Sequence, residues 1–327
     1  MAARIEPAQA KRVPHLVDLR QLCAADLEDL LEEEVCAWRE QLDWDFSKSA
    51  DLVRRFVDMQ ALHGCALLDG GMVIGYAYLV IEELKGLIGD VYVRHAYRGA
   101  GNDRRLLSQM IGSLAAAGKI NRIESQLLMV DADLSNVGPS DAFVRMFPRN
   151  FMMLEMGAGP PPESSHRQLP QNIYLEKWSE HHQDAAAQLI AAAYLDHIDG
   201  QINDQYRSVA GARRFLFNIV QYPGCGAFFR PASLAAFDIQ TGRMWGICLA
   251  SLVAPDCGHI TQICVLPEAR GLGVGYELMS HSLKVLREFG CQRASLTVTA
   301  ANPAVRLYQR MGFRSKRRFA AYVWEGF

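Results

Sequence analysis

The chain has no long apolar run, no strong net charge and no paired cysteines, and each absence excludes a class of protein. No apolar segment reaches the roughly 20 residues needed to span a bilayer, and the N-terminal residues lack the apolar core of a signal peptide. Lysine and arginine number 34 against 36 aspartate and glutamate residues, so no basic face for nucleic acid is expected. We therefore expect a cytoplasmic protein without a membrane or nucleic-acid partner.

The cysteines do not form a recognisable motif. All eight are scattered, with no C-x-x-C pair, which indicates reduced thiols rather than a disulfide framework. Cys257 and His259 are two positions apart, but no second ligand pair has the spacing of a zinc site. We therefore expect no metal.

A proline-rich segment divides the chain into two halves of similar size. Residues 157–171, GAGPPPESSHRQLPQ, have no apolar periodicity and have the composition of a linker. The 327 residues suit two domains of ordinary size, so we predict domains at 1–156 and 172–327. Strand and helix patterns predict the order β-α-α-β-β-β-α-β-α-β in the second half, and the first half repeats it.

A local alignment also indicates an internal duplication. The segment VRMFPRNFM (144–152) aligns with VRLYQRMGF (305–313). This alignment predicts that Phe147 corresponds to Tyr308 and that Phe151 corresponds to Gly312.

Each half has a glycine-rich loop between a strand and a helix, RGAGND (98–103) and RGLGVG (270–275). Such a loop directs backbone N–H groups at one point, where the helix dipole adds partial positive charge, and it binds phosphate. A Walker loop would need G-K-[ST] and a Rossmann loop G-x-G-x-x-G, and the second loop has neither. The remaining alternative is R/Q-x-x-G-x-G/A, the pyrophosphate loop for coenzyme A, which Arg270, Gly273 and Gly275 match.

The second half resembles the GNAT superfamily of N-acetyltransferases. Besides the loop, the resemblance rests on Val265 and Pro267 after the preceding strand and on N-P-A-x-x-L-Y-x-x-x-G-F at 302–313. It covers the second half from end to end and the first half more faintly, in a tandem layout similar to that of the mycothiol synthases. The resemblance implies an α/β (α+β) fold of two tandem domains, each a mixed, mostly antiparallel sheet with helices on both faces.

The resemblance also implies an N-acetyltransferase that uses acetyl-CoA (acetyl-coenzyme A) and acts by direct transfer to a primary amine. Tyr308 stands where the family keeps the tyrosine that protonates the departing thiolate; the alternative is a core tyrosine. His259, six positions before Val265, is the candidate general base; the alternatives are a surface histidine at this position, Asp256 as the base, and a chain of water molecules in place of a side-chain base. The implied cofactor-binding residues are Ile263, Cys264, Val265, Arg270, Gly271, Leu272, Gly273, Val274, Gly275 and Asn302.

The loop between the first two helices of the second half, YLDHIDGQINDQY (194–206), often contacts the acceptor in this family. Asp196, Asp199 and Asp204 are therefore candidates to attract a cationic amine, and the alternative is a solvated loop with helix caps. We expect a small-molecule or peptide amine as the acceptor.

Three positions of the first half depart from the pattern. Asp103 replaces the last loop glycine, Phe147 cannot donate a proton, and Leu87 stands where the second half has His259. We expect a degenerate, non-catalytic domain that packs against the active one, shapes the acceptor cleft or supports a homodimer. The alternative for the whole chain is a non-catalytic acyl-CoA-binding sensor or scaffold; transfer from aminoacyl-tRNA is disfavoured because those relatives lack the coenzyme A loop.

Overall fold

The computed structural model describes residues 13–131, 133–139, 142–157, 171–222 and 224–326, so residues 158–170 of the predicted linker lie outside it. The described residues form thirteen strands and eight α-helices. The strands are β1 (His15–Asp18), β2 (His63–Asp69), β3 (Met72–Glu82), β4 (Lys85–Val93), β5 (Arg122–Gln126), β6 (Phe143–Glu155), β7 (Ile173–Lys177), β8 (Ala227–Phe228), β9 (Leu234–Asp238), β10 (Met244–Ala254), β11 (Cys257–Val265), β12 (Arg293–Thr299) and β13 (Arg314–Glu325). The helices are α1 (Ala24–Leu42), α2 (Ser47–Asp58), α3 (Asn102–Ala116), α4 (Gln183–Ala193), α5 (Ile198–Ile202), α6 (Val209–Gln221), α7 (Val274–Phe289) and α8 (Val305–Arg310). No helix in these ranges is long and apolar enough to cross a membrane.

The strands form one mixed sheet that runs through both halves of the chain. Its order is β1-β2-β3-β4-β5-β13-β6-β12-β11-β10-β9-β7, with β8 paired to β10. The pairs β4–β5 and β11–β12 are parallel, whereas all other neighbours within the described residues are antiparallel. The predicted mixed, mostly antiparallel α/β architecture is therefore confirmed, but the sheets of the two halves are continuous.

The two halves are joined because each contributes its last strand to the other. Strand β13, from the second half, lies between β5 and β6, and β6, from the first half, lies between β13 and β12. The two exchanged strands pair with their neighbours in equivalent registers. Glu325 lies opposite Arg122 of β5, and Glu155 lies opposite Arg293 of β12. Each half of the sheet therefore needs a strand from the other half to be complete.

The alignment of 144–152 with the helical segment 305–313 is wrong. Residues 144–152 lie within strand β6 and pair with β13, whereas helix α8 occupies Val305–Arg310. Pro148 accounts for the difference, since proline lacks the N–H that a helix interior requires. Phe147 packs against Ala321 and Val323, so it is not the counterpart of Tyr308, and Phe151 is not that of Gly312.

Helices cover both faces of the sheet, as predicted. In the first half, Tyr92 of β4 joins the buried cluster of α1 and α2, whereas its neighbours Val91 and Val93 join that of α3. This alternation follows from the period of two along a strand. In the second half, α7 and α4 pack against strands β10 and β11.

The connection between α1 and α2 reaches across the exchanged strands to the second half. Asp43 forms ion pairs with Arg293 and Lys316, and the backbone N–H of Asp45 donates to the carbonyl of Val253 at 2.8 Å. Between these two residues the buried ring of Trp44 lies 5.0 Å from that of His259. The first half thus buries part of the second-half sheet directly.

A buried carboxyl pair connects α1 to β4. Glu34 and Asp90 hydrogen-bond to each other, and Glu34 also accepts from the Tyr76 hydroxyl at 2.9 Å and from the Trp38 indole at 3.2 Å. Burial, with the neighbouring Asp90 charge adding to it, raises the pKa of Glu34 well above its usual range, and burial raises the pKa of Asp90 to about 6. Ionising both buried carboxyl groups would cost free energy, so the folded chain keeps one proton shared between them.

We expect Asp90→Asn to stabilise the chain at alkaline pH. Both carboxyl pKa values are raised by folding, so the contribution of this pair to the free energy of unfolding is largest at acid pH and falls as the pH rises from about 4 through the folded values. The variant removes one of the two charges, so it should be more stable than the wild type at pH 8 by about 1–3 kcal/mol and lose this advantage at pH 4. Urea unfolding at both pH values measures this. Asp29→Asn, at an exposed position of α1, the helix that carries Glu34, is the control. A lower stability of Asp90→Asn at pH 8 would contradict the shared-proton interpretation.

Candidate active site

The parallel strands β11 and β12 pair at one end and separate at the other. Their pairing runs from Cys257 opposite Arg293 to Ile260 opposite Leu296 and ends there, although β11 continues to Val265. Beyond the last pair, β12 stays bound to β6 on its other side, up to Thr299 opposite Arg149. A gap therefore opens between the carboxyl ends of two adjacent strands.

The backbone of β11 presents hydrogen-bonding groups to this gap. Leu266, just beyond the strand, donates its N–H to the Trp245 carbonyl at 2.9 Å, on the side of β10. Backbone groups alternate in direction along an extended strand. The N–H and C=O groups of Ile263 and Val265 therefore point away from β10, into the gap.

The glycine-rich loop closes the carboxyl end of β11 and begins helix α7. Gly271 and Gly273 have φ values of 78° and 92°, in the left-handed region that favours glycine. A Cβ atom built on Gly271 would meet no atom within 4 Å, so the space beside the loop is open. Arg270 donates from Nη2 to the Ala193 carbonyl at 2.7 Å, which ties the loop to the end of α4.

A cavity of about 1280 Å³ extends from this gap past the loop and along α7 and α8. Of the ten residues predicted to bind the cofactor, all except the half-exposed Leu272 line it. Asn302 accepts the N–H of Ala304 at 2.9 Å and donates to Asp199 at 3.0 Å, so its side chain is held at the cavity wall. The structure thus brings the predicted cofactor-binding residues together.

Tyr308 lies on α8, lines the same cavity and is 6% exposed. Burial, followed by the effect of nearby acidic groups that include Asp199, raises the pKa of its hydroxyl. The phenol therefore stays protonated at neutral pH, the state that a proton donor requires.

His259 does not line the cavity. Its imidazole is buried against Trp44 and Phe151, at ring distances of 5.0 and 6.3 Å, and its Nδ1 lies 2.9 Å from the Ser295 hydroxyl. Burial lowers the pKa of His259 to about 3, so the side chain is neutral across the physiological range. The interpretation as a general base or a surface histidine is replaced by that of a core residue between the halves. The alternative base, Asp256, forms an ion pair with Arg293 and does not line the cavity either.

The three candidate acceptor residues are not gathered at one place. Asp204 forms an ion pair with Lys85 of the first half and does not line the cavity. Asp199 accepts from the Thr299 hydroxyl and from Asn302, so it supports the wall from behind. Asp196 is exposed and has a left-handed φ of 56°. The three aspartates proposed to attract a cationic amine therefore lie in three different settings, and none of them lines the cavity.

Some lining residues belong to the predicted acceptor loop and others were not predicted. Tyr194 and His197, which follow α4, lie in the loop 194–206, where His197 was also a candidate to contact the acceptor, whereas residues 154–157, at the end of β6 and just beyond it, were not predicted. The lining cations Lys284 and Arg287 lie on α7 and Arg310 on α8. Ser280, Lys284 and Arg287 recur at the three- to four-residue spacing of one helix face, which is a signal that the sequence contained. The contribution of β6 has no such signal, because it depends on strand exchange.

The first half keeps the loop geometry but fills the corresponding gap. Gly99 and Gly101 have φ values of 78° and 77°, close to those of Gly271 and Gly273. Arg98, the counterpart of Arg270, instead donates from Nε to the Val93 carbonyl at 3.0 Å, at the end of β4. Asp103, which replaces the last glycine of the loop, lies in the first turn of α3.

A segment without helix replaces α8 in the first half. Residues 133–139 pack Leu134 and Val137 into the buried cluster of α3, and the Trp324 indole donates to the Val137 carbonyl at 2.6 Å. The Leu134 N–H donates to the Tyr322 hydroxyl at 3.1 Å. Residues 133–139 therefore fill the space beside α3. The corresponding space beside α7 is part of the cavity.

Comparison with known families finds a match over the part of the chain that supplies most of the cavity lining. The acetyltransferase (GNAT) family model matches residues 173–313. The chain is 34% identical over 71 residues to an N-alpha-acetyltransferase of Sulfurisphaera tokodaii, which covers 21% of this chain and 42% of that protein. It is 34% identical over 103 residues to a mycothiol acetyltransferase of Mycobacterium sp. (strain JLS), which covers 30% of this chain and 34% of that protein. The aligned parts thus span less than half the length of these two relatives.

Two solved structures share the fold over nearly the whole chain. A GCN5-related N-acetyltransferase from Sphaerobacter thermophilus has a TM-score of 0.66 at 18% identity and covers 95% of both chains. A tandem GNAT protein from the clavulanic acid biosynthesis pathway has a TM-score of 0.59 at 17% identity, covering 96% of this chain and 99% of that one. At these identities the likeness concerns the fold alone.

We expect His259→Phe to remove a source of acid instability. Because folding lowers the pKa of His259 to about 3, its contribution to stability is fully present above pH 6.5 and is lost as the pH falls below that value. A phenylalanine ring can keep the packing against Trp44 and Phe151 without a titrating nitrogen. The variant should gain about 2 kcal/mol over the wild type between pH 7.5 and pH 5. Urea unfolding at both pH values measures this, with the exposed His281→Asn as control. An unchanged pH dependence would show that His259 is not held neutral.

Proposed function

Residues 173–313 form an acetyltransferase domain of the GNAT family, and from this premise we propose that the protein transfers an acetyl group from acetyl-CoA to a primary amine. The observation that carries the proposal is the gap between β11 and β12, which ends on a left-handed glycine loop within one cavity. Such a loop at a helix N-terminus suits a pyrophosphate, and an adjacent strand edge suits an extended amide chain.

The residues of the cavity fit acetyl-CoA as the acyl donor. Backbone groups of the loop from Arg270 to Gly275 would hold the pyrophosphate, while the edge of β11 at Ile263 and Val265 would hold the pantetheine arm. Lys284, Arg287 and Arg310 add positive charge to the cavity lining, complementary to the phosphates of the donor. The donor supplies an activated thioester, and the residues of the cavity would hold that thioester in position.

Two features of the chain support direct transfer. The Val265 N–H would polarise the thioester carbonyl in an oxyanion-type role, and Tyr308 would protonate the departing sulfur. Cys264 also lines the cavity, but burial raises the pKa of its thiol to about 12. A protonated thiol is a poor nucleophile, which disfavours an acyl-cysteine intermediate.

We assign catalysis to residues 172–327 and a supporting role to residues 1–156, with 157–171 as the linker. The self-filled gap beside α3 supports this division, since Arg98 and residues 133–139 occupy it. The first half also supplies residues 154–157 to the cavity wall. Its role is therefore to complete the sheet and the cavity rather than to bind a second donor.

The proposal is tested by acetyl transfer with the full chain. Release of coenzyme A from acetyl-CoA would be followed with a peptide that has a free α-amino group, a peptide with an internal lysine, and small primary amines. The α-amino peptide is included because relatives are named N-alpha-acetyltransferases. Acetylation of at least one amine is expected. A chain that binds acetyl-CoA but acetylates none would instead be a sensor or scaffold.

We expect Tyr308→Phe to reduce turnover by about 10²-fold while the Kd for acetyl-CoA stays nearly unchanged. The ring, which packs near Phe313 at a centroid distance of 6.2 Å, is retained, and only the proton donor is lost. Steady-state kinetics and calorimetric binding separate the two effects. Unchanged turnover would show that Tyr308 is a core tyrosine without a catalytic role.

We expect Gly273→Ala to weaken acetyl-CoA binding and Gly101→Ala to leave it unchanged. Both glycines have left-handed φ values, so each alanine adds a strain of about 1 kcal/mol. The two variants should therefore lose similar thermal stability but differ in affinity, by about tenfold for Gly273→Ala alone. Calorimetry should also give one acetyl-CoA per wild-type chain. A stoichiometry of two, or weaker binding by Gly101→Ala, would assign a working donor site to the first half.

A further inference from the structure

We propose that His197, oriented by Asp199, is the general base that takes the proton from the acceptor amine; this rests on the proposed acetyl transfer. His197 lines the cavity that also contains Tyr308. Its side chain is 20% exposed, and its ring packs edge-on against Tyr194 at 5.2 Å. It is therefore sheltered by the wall yet accessible from the cavity.

Asp199 is held in place to orient this ring. Its Oδ2 lies 3.5 Å from the His197 Nδ1 and 3.0 Å from the donating Nδ2 of Asn302, while its Oδ1 accepts from the Thr299 hydroxyl. Thr299 is the last residue of β12, where the strand borders the gap. A carboxylate fixed by two donors behind a histidine is the arrangement that orients a base and stabilises its protonated form.

In this structure the His197 ring caps helix α5. The Asp199 N–H donates to the Nδ1 at 3.2 Å, so His197 is the N-cap of α5. In that state the Nε2 carries the hydrogen and cannot accept a proton. If Nδ1 instead donates to the Asp199 carboxylate, the Nε2 lone pair becomes available to the cavity. The tautomer therefore distinguishes the base from the cap.

Among the described lining residues, His197 supplies the one imidazole and Glu155, at the end of β6, the one carboxylate. Asp199 lies 3.5 Å from the His197 Nδ1, the Tyr194 ring packs against the imidazole, and Arg270 and Tyr308 line the same cavity. Burial, before any other cause, raises the pKa values of Tyr194 and Tyr308, so both tyrosines are proton donors at neutral pH. A neutral imidazole has a ring nitrogen that can accept a proton.

The proton balance of the step is complete. His197 takes one proton from the acceptor ammonium and passes it to solvent, so that the amine nitrogen has a free electron pair. That nitrogen forms a bond to the thioester carbonyl carbon, and the bond from this carbon to sulfur breaks. The new amide nitrogen loses its second proton to solvent, the sulfur gains a proton from Tyr308, and Tyr308 takes a proton back from solvent, so that one proton is released in total. The products are the N-acetyl amine and coenzyme A.

The first experiment reads the tautomer in the full chain labelled with ¹⁵N-histidine, with and without acetyl-CoA. His197→Asn assigns the resonance. We expect the His197 signal to shift when acetyl-CoA is added and to report the Nδ1-protonated tautomer. A His197 that keeps its hydrogen on Nε2 in the presence of bound acetyl-CoA would overturn the proposal.

The second experiment is a pH profile of kcat/KM with the amine that is turned over fastest, or with water as the acceptor if no amine is acetylated. Asparagine can cap a helix but does not titrate. His197→Asn should therefore lose about 10²-fold in rate and lose the acidic limb of the profile. Asp199→Asn should shift that limb to lower pH, since it removes the charge that favours the imidazolium. His259→Phe and His281→Asn should keep the wild-type profile.

The outcomes separate the two proposals. A wild-type rate and profile in His197→Asn would show that this residue is only a helix cap, while the acetyltransferase function would stand. Loss of the acidic limb in His197→Asn with retained acetyl-CoA affinity supports the base. A wild-type chain that binds no acetyl-CoA and releases no coenzyme A would overturn the proposed function, and the inference with it.

Discussion

The pairing of β6 with β13 is the contact on which the rest of the molecule depends. The two strands run antiparallel from Met153 opposite Arg314 to Phe143 opposite Glu325 and occupy the centre of the sheet. Because each strand also pairs with the penultimate strand of the other half, neither half presents a free sheet edge at this point. The cavity beside α7 is built on this frame, and its wall includes residues 154–157 that β6 carries across.

The two halves use the same gap between parallel strands in opposite ways. In each, the parallel pair holds together for four residue pairs and then separates. Beside α7 the space remains open and is lined by α8 and by cations. Beside α3 it is filled by Arg98, Leu134 and Val137. The difference arises from the segment after the second parallel strand, which is helical in one half and irregular in the other, rather than from the loop glycines.

The interface between the halves changes the interpretation of several polar residues. His259 and Asp204 were candidates for catalysis and acceptor binding, and both lie against the other half, packed on Trp44 and paired with Lys85. Both side chains therefore contribute to the interface between the halves. Of the three acidic residues proposed for the acceptor, Asp199 is the one that contacts lining residues, namely Asn302 and His197.

The sequence alone determined the local features of the candidate active site. The spacing of Arg270, Gly273 and Gly275 predicted the loop because a phosphate cradle requires left-handed backbone and bare N–H groups, and the observed loop has left-handed φ values at Gly271 and Gly273. Apolar periodicity likewise predicted most strands, since one face of each must be buried. Only the tertiary structure decided which strands are neighbours, that 144–152 is a strand, and which way His259 points. These depend on pairing between residues more than a hundred positions apart, which no local pattern encodes.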